Sequence, residues 1–269
     1  MFETVTDQAS GLREMFEQAP SVAILPMVAT RRGMGFRSLV TNIAVACTKL
    51  GQRVVVIDAG AAGTANTLGM RVPLDLANLL SGERTFEEVA VQATEGPYVI
   101  NAQKGIPAFV EMASDPEDLF LGFRRLEQPF DVAILAGHVA EVATMTRNQD
   151  DIIFVTNADT ESLTATYAEI KRAHTEFEQN AFRVLVNRVD DEREGLSAFK
   201  RLAETARKFL GVSIEYGGAV SRDSAFGSAD RARCSVYSVA SASGAAKQIS
   251  HLVQSMQAWR LGRYALNEH

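Results

Sequence analysis

The chain has 269 residues, 46% of them hydrophobic, and a formal net charge of −6. That length can bury a full core as one α/β domain. The acidic balance argues against a nucleic-acid protein held by bulk electrostatics, and no apolar run approaches the ~20 residues of a membrane span.

The first twenty residues are polar and acidic, without the pattern of a secretory leader, so a cytoplasmic protein is expected. Within them Ala9, Leu12, Phe16 and Ala19 fall at helical spacing, and Asp7 sits near the start where it suits the dipole. A lone helix this short is marginal in water, so it must dock on its own domain or on another protein. Ala19-Pro20 then breaks the pattern ahead of the first strand. Apolar runs at 22–28, 54–58, 98–101, 131–136, 152–156, 182–189 and 212–216 read as strands. The central ones lack polar alternation, as parallel strands covered on both faces do. Helical patterns at 36–50, 85–93, 115–126, 160–178 and 196–210 lie between them. Strands alternating with helices of this size predict a doubly wound, mostly parallel α/β sheet flanked by helices, with one domain over 21–245.

Cys47 lies among Ala and Val on the first helix, and neither it nor Cys234 has CxxC spacing, so reduced thiols are expected. His138 follows the fourth strand and His174 lies on a helix; no Cys/His/carboxylate set has metal spacing, so no metal site is expected. The last segment, 246–269, carries an apolar stripe of Ile249, Leu252, Val253, Met256, Trp259 and Leu261, with Lys247, Arg260 and Arg263 adding positive charge. It reads as an amphipathic helix. Two placements stay open: packed on the core, or, from Met256 onward, presenting Met256, Trp259, Arg260 and Arg263 to an anionic membrane surface.

Residues 29–42, ATRRGMGFRSLVTN, form a Gly-containing loop between the first strand and the first helix, the setting of a phosphate-binding loop. Such a loop needs Lys then Ser/Thr after its last Gly, to hold phosphates and Mg²⁺. After Gly35 this chain has Phe36 and Arg37.

Four stretches carry a family resemblance. Asp7-Gln8-Ala9-Ser10-Gly11-Leu12-Arg13 resembles a DQAxxLR signature. Residues 54–59 followed by Ala65-Asn66 resemble VLLLDADLGLAN, and 155–164 through Tyr167, Ile170 and Lys171 resemble VTPEPTSLTDAYALIK. Phe209-Leu210-Gly211 leading to Gly217 and Asp223 resembles a closing strand and loop. With these the chain resembles, over essentially its whole length, the MinD/ParA family of deviant-Walker P-loop ATPases, and within it the FlhG/FleN-type flagellar-number regulators.

The family loop reads KGGxGKTT, with Asn six positions after the second Lys. Asn42 is six positions after Phe36, so the resemblance places Phe36 where the phosphate-binding Lys belongs and Arg37 where the Mg²⁺-ligating Thr belongs. Ser38 keeps the second hydroxyl, Arg31 replaces the signature Lys that crosses the family dimer, Arg32 replaces a Gly, and Thr30 stands at the first Gly. A rival alignment treats Phe36 as an insertion and lets Arg37-Ser38 stand in for Lys-Ser. The family's water-positioning Asp falls on Gly60, and its Walker B Asp on Ala136. Hydrolysis needs Mg²⁺ bridging the phosphates and an oriented water, so the resemblance implies a degenerate pseudo-ATPase with no ATP or Mg²⁺ cofactor. Residual anion attraction is expected around Gly33, Gly35, Arg37 and Ser38 at the helix N-terminus. Asn187-Arg188 matches the family's base-recognition position, and reads equally as a strand-end turn.

What the resemblance implies is regulation of flagellar biosynthesis through the flagellar SRP-type GTPase FlhF, with contacts to basal-body proteins as a further expectation. Asp7, Gln8, Ala9, Leu12, Arg13 and Phe16 of the arm would dock on that GTPase. Without nucleotide to glue a dimer, a monomer is expected, cytoplasmic or peripheral at the inner membrane. The alternatives are a working ATPase that dimerises and attaches to membrane, and a scaffold for another client system.

Overall fold

The computed structural model describes residues 21–112, 115–259 and 261–265. Their nine strands form one sheet: β1 (Ser21–Ala29), β2 (Val54–Asp58), β3 (Val91–Gln92), β4 (Tyr98–Asn101), β5 (Val132–Gly137), β6 (Ile152–Thr156), β7 (Phe182–Val189), β8 (Ile214–Ser221) and β9 (Gly262–Ala265). The order is β3-β4-β2-β5-β1-β6-β7-β8, with β9 paired to β1 off this path. All neighbours from β4 to β8 are parallel; β3 and β9 run antiparallel to their partners. β2, β5 and β6 are buried at every position, as their unbroken apolar runs require.

The longer helices are α1 (Phe36–Lys49), α2 (Pro116–Arg124), α3 (Thr160–Phe177), α4 (Glu192–Leu210), α5 (Ser224–Ala232) and α6 (Gly244–Ser255). Two apolar layers follow from the alternation of side chains across β1: Leu25 and Met27 pack with Leu39 and Ile43 of α1 and Ile249, Leu252 and Val253 of α6. Ile24 and Val28 face the other layer, with Phe120 and Phe123 of α2, Ile170 of α3 and Leu202 of α4. α4 buries Gly195, Ala198, Leu202 and Ala206 at helical spacing, starts at an Asp191 cap and stops at Gly211 in the left-handed region. The C-terminal ends of the parallel strands, on either side of the central β1, open the crevice where α/β sheets bind ligands.

Three expectations are corrected. The helix expected over 85–93 is a single turn, Phe86–Val89, followed by the short hairpin of β3 and β4; Ala90 turns extended and ends the turn. β8 does not stop at 216 but runs through Gly217-Gly218, where a bulge absorbs an irregular register against β7.

The third correction concerns the C-terminal helix expected over 246–269. α6 begins at Gly244 and ends at Ser255, a 3₁₀ turn follows at Met256–Ala258, and the chain then enters β9. Met256 is 3% exposed inside the core, so the domain does not end at 245 and Met256 is not on an exposed helical face. Trp259 is half-buried, its ring 4.8 Å from the Arg183 guanidinium carbon. Arg263 lies on β9, opposite Ala23 of β1; Arg260 lies outside the described residues. The apolar stripe is real, but it packs on the core and in the sheet. Among the described residues no helix is long and apolar enough to cross a membrane.

Candidate phosphate-loop site

β1 ends at Ala29, and Thr30 begins the loop with its hydroxyl donated to the Val155 carbonyl of β6 at 3.1 Å. The turn needs left-handed backbone at Gly33 (φ 85°) and Gly35 (φ 77°). Gly35 is the N-cap of α1 and supplies no side-chain cap, so the first amides of that helix keep their partial positive charge for an anion.

Asn187 and Arg188, from the end of β7, hold the loop by its carbonyls. Asn187 Nδ2 donates to Met34 O at 2.7 Å, and Arg188 Nη1 donates to Gly33 O at 2.5 Å. Arg188 itself adopts φ 56° to do so. A Cβ at Gly35 would lie 2.5 Å from Asn187 Nδ2, whereas one at Gly33 meets nothing within 4 Å. Gly33→Ala should therefore cost only left-handed strain, ~1–2 kcal/mol. Gly35→Ala adds a collision with the brace, and its thermal midpoint should fall below that of Gly33→Ala.

Phe36 is 5% exposed and sits in the apolar layer with α6 and β1, so its ring belongs to the core. α1 runs unbroken from Phe36, and Asn42, six residues on, is buried. Its Nδ2 donates to Ser38 O at 2.7 Å, and its Oδ1 accepts from Val236 N at 2.8 Å. Ser38 is buried. Arg37 is exposed, its guanidinium against Gly63, where a Cβ would stand 3.1 Å from Nε. Arg31 turns away to Glu161 of α3, 2.8 Å away in an exposed pair that contributes little.

Asp58 is buried at the end of β2 and accepts three backbone N–H groups, from Gly60, Ala62 and Thr64, at 3.0–3.1 Å. Its charge is thereby committed to shaping the following loop. Gly60 has φ 95°, and a Cβ there would meet the Gln103 side chain at 3.3 Å. Ala136 is fully buried, paired in register with Asp58 and with Met27 on its two sides.

Beside the loop is a cleft of ≈590 Å³, reached by Gly35, Ser38, Asn157, Asn187, Arg188 and Asp230 among others. Asn157 Oδ1 is buried there with no hydrogen-bond partner among the described residues. Asp159 caps α3: Ser162 donates its hydroxyl at 2.7 Å and its N–H at 2.9 Å. These bonds hold the carboxyl below the usual range. A depressed carboxylate stabilises the fold above the unfolded value near pH 4 and loses that contribution as pH falls through the folded value.

The structure thus brings Gly33, Gly35, Arg37, Ser38, Asn187 and Arg188 together at one loop, with Phe36 beneath it. Gly60 and Ala136 lie on the adjoining strand ends. The arm residues Asp7, Gln8, Ala9, Leu12, Arg13 and Phe16 lie outside the described residues. Sequence reasoning missed the part of the cleft wall that follows β8, with Arg222, Phe226 and Asp230; Asp223, which caps α5, was its only signal. Cys47 lies on the buried face of α1, and burial pushes its thiol up to about 12. A thiol reagent at pH 8 should modify Cys47 only after denaturation, as mass spectrometry of the labelled peptide will show. No group of three or more metal-type ligands occurs among the described residues.

A parallel sheet with a Gly-shaped loop leading into the helix after its central strand defines a P-loop nucleotide-binding type of domain. The chain belongs to the CobQ/CobB/MinD/ParA nucleotide binding domain family, whose profile matches residues 38–229. It is 25% identical over 256 residues to the antiactivator FleN of Pseudomonas aeruginosa, across 93% of this chain and 91% of that protein. A chain of the MinC:MinD cell division protein complex of Aquifex aeolicus superposes with a TM-score of 0.66 at 17% identity, over 91% of this chain and 98% of that one. A ParA family ATPase of Chlorobium tepidum gives 0.64 at 18% identity, over 88% and 99%.

Proposed function

We propose that this protein is a MinD-like regulator of flagellar biosynthesis or placement that does not hydrolyse ATP. In this reading it binds the flagellar SRP-type GTPase FlhF through its N-terminal arm and stimulates GTP hydrolysis there. The observation that carries the reading is Phe36, packed in the core where the family's phosphate-binding lysine belongs. The likeness to an antiactivator of the FleN type supports the flagellar context.

The residues present do not fit Mg·ATP. The positions for the phosphate lysine, the metal-ligating threonine, the Walker B carboxylate and the water-positioning carboxylate hold Phe36, Arg37, Ala136 and Gly60. Each lost charge-assisted contact is worth ~1.5–3 kcal/mol, about ten- to a hundredfold in affinity. Three or four such losses move a micromolar site past millimolar. What Gly33, Gly35, Arg37 and Ser38 retain is weak anion attraction at the α1 N-terminus.

The activity then rests on the arm. Gln8 and Arg13 are polar groups suited to order a partner's attacking water or phosphates, as groups supplied in trans do. Leu12 and Phe16 supply the apolar anchor. The protein acts as a cytoplasmic monomer. Calorimetric titration with Mg·ATP should show no binding at low micromolar concentration, and a peptide spanning residues 1–21 should raise the GTPase rate of FlhF. Tight Mg·ATP binding would replace this reading with that of a working ATPase; an unchanged GTPase rate would remove the activator role.

A further inference from the structure

On the face of the sheet away from α1, α2 and two short helices, Leu76–Leu80 and Gly105–Glu111, enclose an open apolar groove of ≈390 Å³. Its floor is buried Phe109, Leu119 and Phe123; half-buried Leu79, Leu80 and Phe86 wall it. Val110 and Met112, which follow Phe109 in the chain, are among the most exposed large apolar side chains described. Gly122 of α2 opens onto the groove, and a Cβ added there meets nothing within 4 Å. The absence of a side chain at that helical position costs helix stability and leaves the floor uncovered.

The charge around it is one-sided. The segment 75–128, which contains the groove's lining, holds ten of the chain's 33 acidic residues and four of its 27 basic ones; of these acids Glu95 bonds Ser235 and Ser238 away from the groove and Glu117 pairs with Arg147. Asp118 stands in the wall and Glu87 follows Phe86; both are exposed. Arg84, among the few cations nearby, is tied to Glu88 at 3.0 Å.

We propose that this groove is a docking site for a basic amphipathic helix of a partner protein, separate from the arm and from the phosphate loop. Apolar side chains at i, i+3 or i+4 and i+7 enter the groove, as helix-in-groove recognition uses them, and flanking Lys or Arg meet the acidic rim. The chain's own arm is the wrong occupant electrostatically: residues 1–20 carry Glu3, Asp7, Glu14 and Glu17 against Arg13 alone.

The test uses the full chain and two synthetic helical peptides with the same Leu and Phe positions, one with Lys and one with Glu elsewhere. Fluorescence anisotropy should give at least about tenfold tighter binding of the Lys peptide, weakening with added salt. Gly122→Trp, which fills the groove from an open position, should abolish that binding with an unchanged circular dichroism spectrum; Asp118→Lys should weaken it several-fold. Equal binding of both peptides, or undiminished binding to Gly122→Trp, overturns the proposal. So does a gain in affinity on Leu12→Glu/Phe16→Glu, which assigns the groove to the chain's own arm. Self-association in sedimentation that Gly122→Trp removes would assign it to a second copy.

Discussion

Replacing Arg183 with alanine is expected to cost about 3–5 kcal/mol of stability, the usual consequence of stranding half of a buried ion pair. Asp151 is fully buried at the start of β6, and Arg183 of β7 is 8% exposed. Arg183 Nε and Nη2 donate to Asp151 Oδ2 at 3.0 and 2.8 Å, and Nη1 donates to the Tyr216 carbonyl at 3.2 Å. One guanidinium thus ties β6, β7 and β8 together, and Trp259 stacks over it from the C-terminal segment. The substitution removes the Arg183 cation from the interior carboxylate and the stacked guanidinium from the indole. At ~2–4 °C per kcal/mol for a chain of this size, the thermal midpoint should drop by about 10 °C. Arg183→Lys keeps the charge but not the fork, and should lose less. A loss under about 1 kcal/mol for Arg183→Ala would show that the pair is not the clamp described.

The second large effect is expected from an attempt to restore the family's carboxylate. Ala136→Asp should destabilise by about 3 kcal/mol or more, because it places a charge in a fully buried position between Asp58 and Met27. Its in-register neighbour is Asp58, whose carboxylate already caps the next loop through three N–H groups. Two adjacent buried carboxylates repel. Adding Phe36→Lys and Gly60→Asp should deepen the loss: the first empties a core position, and the second puts a side chain at φ 95° against Gln103. Denaturant midpoints with and without Mg·ATP test this. Recovery of stability on adding Mg·ATP to the triple variant would indicate a site needing only its side chains; continued loss would indicate that the surroundings have adapted to the residues now present.

The strands at 54–58, 98–101, 152–156 and 182–189 were legible to the residue, because short runs rich in β-branched and apolar residues, bounded by turn residues, favour a strand even where Arg183 and Asn187 interrupt the last of them. β3, β9 and the single-turn helices were not, since segments this short owe their form to tertiary contacts rather than to pattern. At the site, the loop between the first strand and the first helix could be read directly. The bracing by Asn187 and Arg188 could not: it joins carbonyls to side chains more than 150 positions away, and only the folded sheet sets that distance. The C-terminal stripe kept its helical period in sequence while the chain left the helix at Ser255. Its apolar residues are buried by the 3₁₀ turn, the stacked Trp259 and the sheet instead.

The position of β9 has a bearing on biosynthesis. Residues 262–265 fill the lower edge of β1, from Ser21 opposite Ala265 to Ile24 opposite Gly262, at the centre of the sheet. β1 pairs with β6 only over its last three residues. As the chain emerges from the ribosome, its earliest described strand must therefore wait with half of one edge unpaired until the latest one arrives. The chain from Ser21 to Gly262 is therefore made before the middle of the sheet can close, and over that interval the nascent protein carries an open strand edge of the kind chaperones shield.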